Sequence, residues 1–117
     1  MRAVQRRVFP GGRAVVSGDP GWGAAYRERV SDLLATAGGK NHVVWVGLPP
    51  VKDGGKARIF RDYNAIYSSE IDGMRRSRYL DIWGMFSDAR GRYRPFGRGP
   101  NGDTVLLRAG DGAHFTI

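Results

Sequence analysis

The chain has 117 residues, of which 41% are apolar, and this length and composition suit one small globular domain rather than a disordered segment. It contains no cysteine, which excludes disulfides and thiolate metal sites, and no apolar run approaches the ~18 residues of a membrane span. The basic residues 1–13 are not followed by the apolar run of a signal peptide, so no signal peptide is predicted in this chain and the compartment stays open.

The charge balance is basic, with 19 basic and 11 acidic residues and a formal net charge of +8. Such an excess is compatible with a nucleic-acid partner or an anionic surface. The arginines are scattered in small groups, however, so nucleic-acid binding is the weakest of the functional interpretations. Two histidines without clustered carboxylates provide no metal-ligand spacing. We therefore predict no metal and no cofactor.

The first predicted elements are a loop and a helix. Residues 1–18 show no sustained period and are predicted to be a loop or linker. Asp19 followed by Pro20 is typical of a helix start, with the aspartate as N-cap and the proline at the first helical position. Apolar residues then recur at helical spacing, which predicts a helix over 20–37.

The middle of the chain predicts a strand, a helix and a second strand. The continuous apolar run 43–48, stopped by two prolines, is typical of a strand buried on both faces of a parallel sheet. An amphipathic helix is predicted over about 57–73. The run 79–83 is the second strand. Such a βαβ unit places its two strands parallel, and we expect them to be adjacent. The buried stripe of the helix is predicted to be Ile59, Phe60, Tyr63, Ile66, Tyr67 and Ile71.

Beyond this unit we predict irregular structure: a turn or small hairpin over 87–93, a loop over 95–103 and a short apolar segment 105–107. That segment leads into a Gly-rich loop in which Asp111 and His114 stand three residues apart. A carboxylate that fixes the tautomer of an imidazole is the orienting half of a catalytic triad, although such a pattern also occurs in ordinary surface turns. We expect the glycines on both sides of the aspartate to let the two side chains meet.

Several runs of the chain, taken in order, resemble the SGNH/GDSL hydrolases, in particular a bacterial subgroup whose members are often exported. The resemblance covers residues 20–117, and its most specific parts are the W-V-G-L-P-P run and the D-G-A-H-F-T ending. It implies an α/β class: a partial three-layer α/β/α, flavodoxin-like fold, whose parallel sheet is reduced here from about five strands to about two. The matching runs are Trp22 to Tyr26, Val44 to Pro50, Tyr63 to Tyr67, Tyr79 to Trp83 and Asp111 to Thr116.

The resemblance also implies chemistry: a Ser–His–Asp triad that cleaves acyl or acetyl esters, with Asp111 as the acid and His114 as the general base. Ligands of open α/β sheets bind beyond the carboxyl ends of the strands. Pro49 and Trp83 follow strand ends or lie downstream of them, and Arg108 precedes the Gly-rich loop. These three residues are the predicted substrate-binding residues. Acetyl esters of cell-surface polysaccharide are the substrate class that the resemblance suggests.

The family's remaining catalytic elements are missing from these 117 residues. No Gly-Asp-Ser run occurs, and Ser17 stands in a run with the same letters in another order, which follows no buried strand. The oxyanion-hole asparagine has no counterpart either, because Asn41 precedes a strand and Asn64 lies in mid-helix. We therefore predict that residues 19–117 are the C-terminal portion of an SGNH-like domain, inactive alone because triad members act as a unit.

Such a portion would have open strand edges and an uncovered apolar face of its sheet. The predicted partners are accordingly the missing N-terminal half of the domain or another copy of the chain. An alternative function follows from the same features: a non-catalytic interaction module that pairs through the open sheet. In either case we expect the isolated chain to be marginally stable, self-associating or partly molten.

Overall fold

The computed structural model describes residues 7–8, 14–15, 19–38 and 41–116, which form a mixed α/β structure. The elements in chain order are β1 Arg7–Val8, β2 Ala14–Val15, α1 Trp22–Ala37, β3 Val43–Val46, α2 Gly54–Asp72, β4 Ser77–Leu80, a 3-10 helix Trp83–Phe86, β5 Phe96–Arg98 and β6 Thr104–Leu106. β1 and β2 form a short antiparallel pair within the predicted linker 1–18. The rest of that linker, with Ser17, lies outside the described residues.

The predicted βαβ unit is confirmed, because β3 and β4 are parallel neighbours in the register Val43–Ser77 to Val46–Leu80. Both strands end earlier than predicted. Beyond β3, the side chain of Asn64 takes up the backbone N–H and C=O of Leu48, two residues after the strand end. After β4, Asp81 Oδ1 accepts the backbone N–H of Trp83 at 3.0 Å, a local turn that leads into the 3-10 helix in place of the predicted strand end.

Helix α1 starts at Trp22, so the prediction that Asp19 is its N-cap was wrong. Gly21 occupies the N-cap position with a φ of 81°, in the left-handed region that glycine adopts without steric cost. The backbone carbonyl of Asp19 accepts the N–H of Trp22 at 3.0 Å, which makes Pro20 and Gly21 a turn that precedes the helix.

Helix α2 starts at Gly54, three residues before the predicted position. Its N-cap is Asp53, whose Oδ1 accepts the backbone N–H groups of Gly55 at 2.9 Å and Lys56 at 3.1 Å. These contacts satisfy two donors of the first turn, and they allow two glycines to be helical despite their low propensity.

The core lies between the two helices and one face of the parallel pair. The ring of Trp45 in β3 lies 4.7 Å from that of Tyr67 in α2, and the hydroxyls of Tyr26 and Tyr67 are 2.7 Å apart. The predicted stripe of α2 is confirmed at its C-terminal half, whereas Ile59 is exposed. The buried members of this core are Val30, Leu34, Ile66, Tyr67 and Ile71.

The opposite face of the sheet is uncovered in the described part of the chain. Side chains alternate along a strand, so Val44 and Val46 point away from the helices and are 56% and 51% exposed. Leu80, the register partner of Val46, is 45% exposed. The prediction that the first strand is buried on both faces was therefore wrong, since both helices pack on the same side. The described residues form two of the three layers that the resemblance implies.

Short antiparallel pairings organise the residues after β4. Ser87 and Tyr93 form a bridge, which confirms the small hairpin predicted over 87–93. β5 and β6 pair in antiparallel register, so the predicted loop 95–103 is partly strand. A last bridge joins Arg108 to Phe115 and makes the Gly-rich loop between them the tip of a hairpin.

Candidate active site

Asp111 and His114 are in direct contact at the tip of this last hairpin. Oδ2 of the aspartate lies 2.5 Å from Nδ1 of the histidine. Its other oxygen, Oδ1, accepts the backbone N–H groups of Ala113 at 2.9 Å and His114 at 3.0 Å. Each carboxylate oxygen therefore has a partner within the loop, and the imidazole is aligned against a carboxylate that the backbone holds in place.

The hydrogen bonds also set the ionisation of this pair. The hydrogen bond from His114, followed by those from two backbone N–H groups, holds the pKa of the Asp111 carboxyl well below its usual range. An ionised carboxylate can only accept, so Nδ1 of the ring carries the hydrogen, and Nε2 is the basic nitrogen of the neutral imidazole. The histidine side chain is 83% exposed, so the described residues leave the ring accessible to solvent or to another protein.

The backbone of the loop is closed by three hydrogen bonds. The N–H of Ala109 donates to the carbonyl of His114 at 2.7 Å, and that of Gly112 donates to Ala109 at 3.1 Å. Thr116 donates to Leu107 at 2.9 Å. The Asp–His contact thus sits on a closed turn, as the D-x-x-H spacing predicted.

Only one of the two glycines beside Asp111 is required by this turn. Gly112 has a φ of 76°, and a Cβ atom there would lie 2.7 Å from Cβ of Lys52. Gly110 has an ordinary φ, and nothing lies within 4 Å of the position its Cβ would take. The prediction that the glycines on both sides of Asp111 allow the two side chains to meet is therefore right for Gly112 alone.

Gly112→Ala is expected to lower the free energy of unfolding by about 2 kcal/mol, because the left-handed backbone alone costs an L-residue about 1–2 kcal/mol and the contact with Lys52 adds to this. Gly110→Ala is the matched control and should change it by less than about 0.5 kcal/mol. Urea unfolding followed by circular dichroism measures both. Equal losses for the two variants would contradict the assignment.

The Asp–His loop is attached to the segment 47–53, which connects β3 to α2. Lys52 donates its backbone N–H to the carbonyl of Gly112 at 2.9 Å. Upstream, the Asn64 side chain accepts from Leu48 N–H at 2.8 Å and donates to its carbonyl at 2.9 Å. The loop is therefore held at the carboxyl end of β3, where ligands bind in open α/β sheets.

Arg108 is the second attachment of the loop, and it is fully buried, with 0% of its surface exposed. Nη1 donates to the carbonyl of Pro50 at 2.7 Å and Nη2 to that of Ala113 at 2.5 Å. The guanidinium carbon lies 4.7 Å from the ring centre of Phe115 and 5.2 Å from that of Tyr93, and burial lowers the pKa of the group. The structure disagrees with its predicted role in substrate binding, because no part of the side chain is open to a ligand.

A protein-family model matches almost the whole chain. The model of the family described as "Protein of unknown function (DUF459)" matches residues 5–117. The chain belongs to the DUF459 family. The match begins within the predicted linker and runs through the Asp–His loop, so this DUF459 domain includes every described element. No curated protein matches the chain.

The other two predicted site residues, Trp83 and Pro49, do not share a cleft with Asp111 and His114. Trp83 lines an open cleft of about 510 Å³ beside α2, and so does Lys52, which contacts the loop. Pro49 follows β3 as predicted, but it is Pro50 that lines this cleft. Neither Asp111 nor His114 is among the lining residues.

Asn64 is the positioning residue that the sequence analysis missed. Its place in mid-helix argues against an oxyanion-hole role, yet its amide holds Leu48 in the segment to which the loop is attached. The available signal was its place between Phe60, Tyr63 and Tyr67 on the apolar side of α2, where an amide requires a hydrogen-bond partner.

The DUF459 domain brings a carboxylate and an imidazole together, and no nucleophile contacts them among the described residues. No serine or threonine hydroxyl among them bonds to His114. Ser69 accepts from Arg27, and Thr116 donates to the carbonyl of Leu106. The same residues hold no cluster of three metal-ligating side chains and no helix with the length and apolar character of a membrane span.

Proposed function

We propose that this DUF459 domain is the acid–base portion of an SGNH-type ester hydrolase. The observation that carries the proposal is the contact between Asp111 Oδ2 and His114 Nδ1, in a closed loop at the carboxyl end of β3. Its support from the sequence is the ordered set of runs that resemble that family. The serine nucleophile and the oxyanion-hole donors are supplied by protein outside residues 1–117.

In this reaction the serine Oγ attacks the acyl carbonyl carbon while Nε2 of His114 takes its proton. The imidazolium, stabilised by the Asp111 carboxylate, returns the proton to the departing alcohol as the ester bond breaks. Water then attacks the acyl-serine by the same route and releases the acid. Asp111 stays ionised throughout, which its lowered pKa favours. Acyl or acetyl esters of polysaccharide are the proposed substrates, and Trp83 and Pro49 are the proposed substrate-binding residues.

The chain alone is expected to hydrolyse a generic activated ester such as p-nitrophenyl acetate no faster than free imidazole at equal concentration, because it lacks the serine and the oxyanion hole. Purified wild type and His114→Ala are compared in a spectrophotometric assay. A wild-type rate well above that of imidazole would show that the chain contains its own nucleophile, and Ser17 would be the first residue to substitute.

Hydrolase function itself is tested by reconstitution with a polypeptide that supplies the Gly-Asp-Ser serine. Activity that requires both polypeptides and is lost in His114→Ala would establish it. A reconstituted complex without hydrolysis would refute it.

A second candidate function, a non-catalytic interaction module, is favoured by the exposed apolar face that Val44, Val46 and Leu80 form. A second open groove of about 410 Å³ lies between α1 and Trp45, on the helical side of the same strand. In this function the partner covers the sheet, and His114 has no role. The two candidates therefore differ in their dependence on that histidine.

A further inference from the structure

The open cleft beside α2 is lined by cations and by no acidic side chain. Its charged residues are Lys52, Arg58, Arg61 and Arg92. None of these four forms an ion pair with a carboxylate in the part of the chain that the structure describes, although Asp88 accepts the backbone N–H of Arg92 and the charge of Arg92 helps to lower the pKa of that carboxyl. Like charges gathered around a concave surface repel one another and raise the local concentration of anions.

One of these cations is held in position. The guanidinium carbon of Arg61 lies 4.4 Å from the ring centre of Trp83, and its Nη2 donates to the carbonyl of Gly91 at 3.0 Å. Trp83 Nε1 donates to the same carbonyl at 2.8 Å. Stacking and one hydrogen bond thus orient the guanidinium, and the bond from Trp83 fixes the indole on which it stacks. Only one of the five N–H donors of the guanidinium has a partner among the described residues. The remaining donors form the planar fork that matches a carboxylate or a phosphate.

We propose that this cleft binds an anionic small molecule of sugar size, through a phosphate or carboxylate group held by Arg61 and Arg58. A volume of about 510 Å³ is within the range of small-molecule sites, and Pro50 and Trp83 supply apolar surface for the body of the ligand. The cleft shares Trp83 with the proposed ester site, but neither Asp111 nor His114 lines it, so anion binding does not require ester hydrolysis.

Isothermal titration calorimetry of the full chain at low ionic strength tests it with three probes: glucose 6-phosphate, glucuronate and neutral glucose. Binding of either anion without binding of glucose supports the proposal, and the stronger of the two identifies the anionic group. Arg61→Gln and Arg58→Gln should each weaken that binding about tenfold, the effect of one charge-assisted hydrogen bond.

Arg78→Gln is the matched control, because Arg78 is exposed in β4 and is not a cleft residue, while the change in net charge is the same. It should leave the affinity within about twofold of wild type. Arg58 has no side-chain hydrogen bond or ion pair with the described residues, so Arg58→Gln keeps the test valid if Arg61→Gln disturbs the Gly91 turn. Glucose binding as tightly as the anions, equal losses in Arg78→Gln and Arg58→Gln, or unchanged affinity in both cleft variants would each overturn the proposal.

Discussion

Arg108→Ala is expected to lower the free energy of unfolding by about 3 kcal/mol and to release the Asp111–His114 loop from the segment 47–53. The carbonyls of Pro50 and Ala113 lose a charged donor in a buried place, at about 1.5–3 kcal/mol each, and a cavity opens against Phe115. Part of this is offset, because the desolvated guanidinium no longer has to be buried. Since small domains have about 5–15 kcal/mol in total, this loss is roughly a fifth to three fifths of the stability.

Urea unfolding followed by tryptophan fluorescence and circular dichroism measures this loss. Arg108→Met retains most of the packing without the donors, so it separates the hydrogen bonds from the cavity. Arg98→Ala removes the same charge from an exposed position in β5 and should change the free energy of unfolding by less than about 0.5 kcal/mol. An Arg108→Ala variant as stable as the Arg98 control would mean that the buried guanidinium does not hold the loop.

Adding the proposed N-terminal half is expected to stabilise the chain and to restore ester hydrolysis. The polypeptide to add is the one encoded immediately upstream, if it carries a Gly-Asp-Ser run after a strand. A partner at 100 times its Kd contributes about 2.7 kcal/mol, which corresponds to roughly 10–20 °C in the melting temperature of a domain of this size. Because the triad acts as a unit, the rate should rise at least about a thousandfold over either polypeptide alone.

Three substitutions locate the source of each effect. His114→Ala should abolish the restored hydrolysis and leave the melting temperature of the complex unchanged. Val46→Lys places a charge on the exposed sheet face and should weaken the association itself. Ala65→Lys adds the same charge on the exposed surface of α2 and should do neither.

The outcomes of this experiment are distinct. A higher melting temperature without hydrolysis would favour the interaction module. A sharply melting monomer that is indifferent to the added polypeptide would mean that the chain is a complete domain and that the proposed division of the fold is wrong.

Local patterns in the sequence were sufficient for two features of this protein. The helical and strand runs around 43–80 predict the βαβ unit, because hydrophobic periodicity and the handedness of the crossover are local or nearly local constraints. The spacing of Asp111 and His114 likewise predicts their contact, since three residues in a tight turn keep both side chains within reach. What the contact does chemically is not decided by spacing, and it stays a proposal.

Only the tertiary structure decided the surroundings of that pair. Val44 and Val46 are exposed because both helices pack on one side of the sheet. An apolar run in the sequence does not show on which side of the sheet a helix packs. Arg108 and Asn64 became positioning residues because their partners lie 58 and 16 positions away in the chain, at Pro50 and Leu48. The sequence does not show whether a charged or amide side chain forms its hydrogen bonds with water or with a buried carbonyl. Its role is therefore decided by the contacts that it makes in the folded chain.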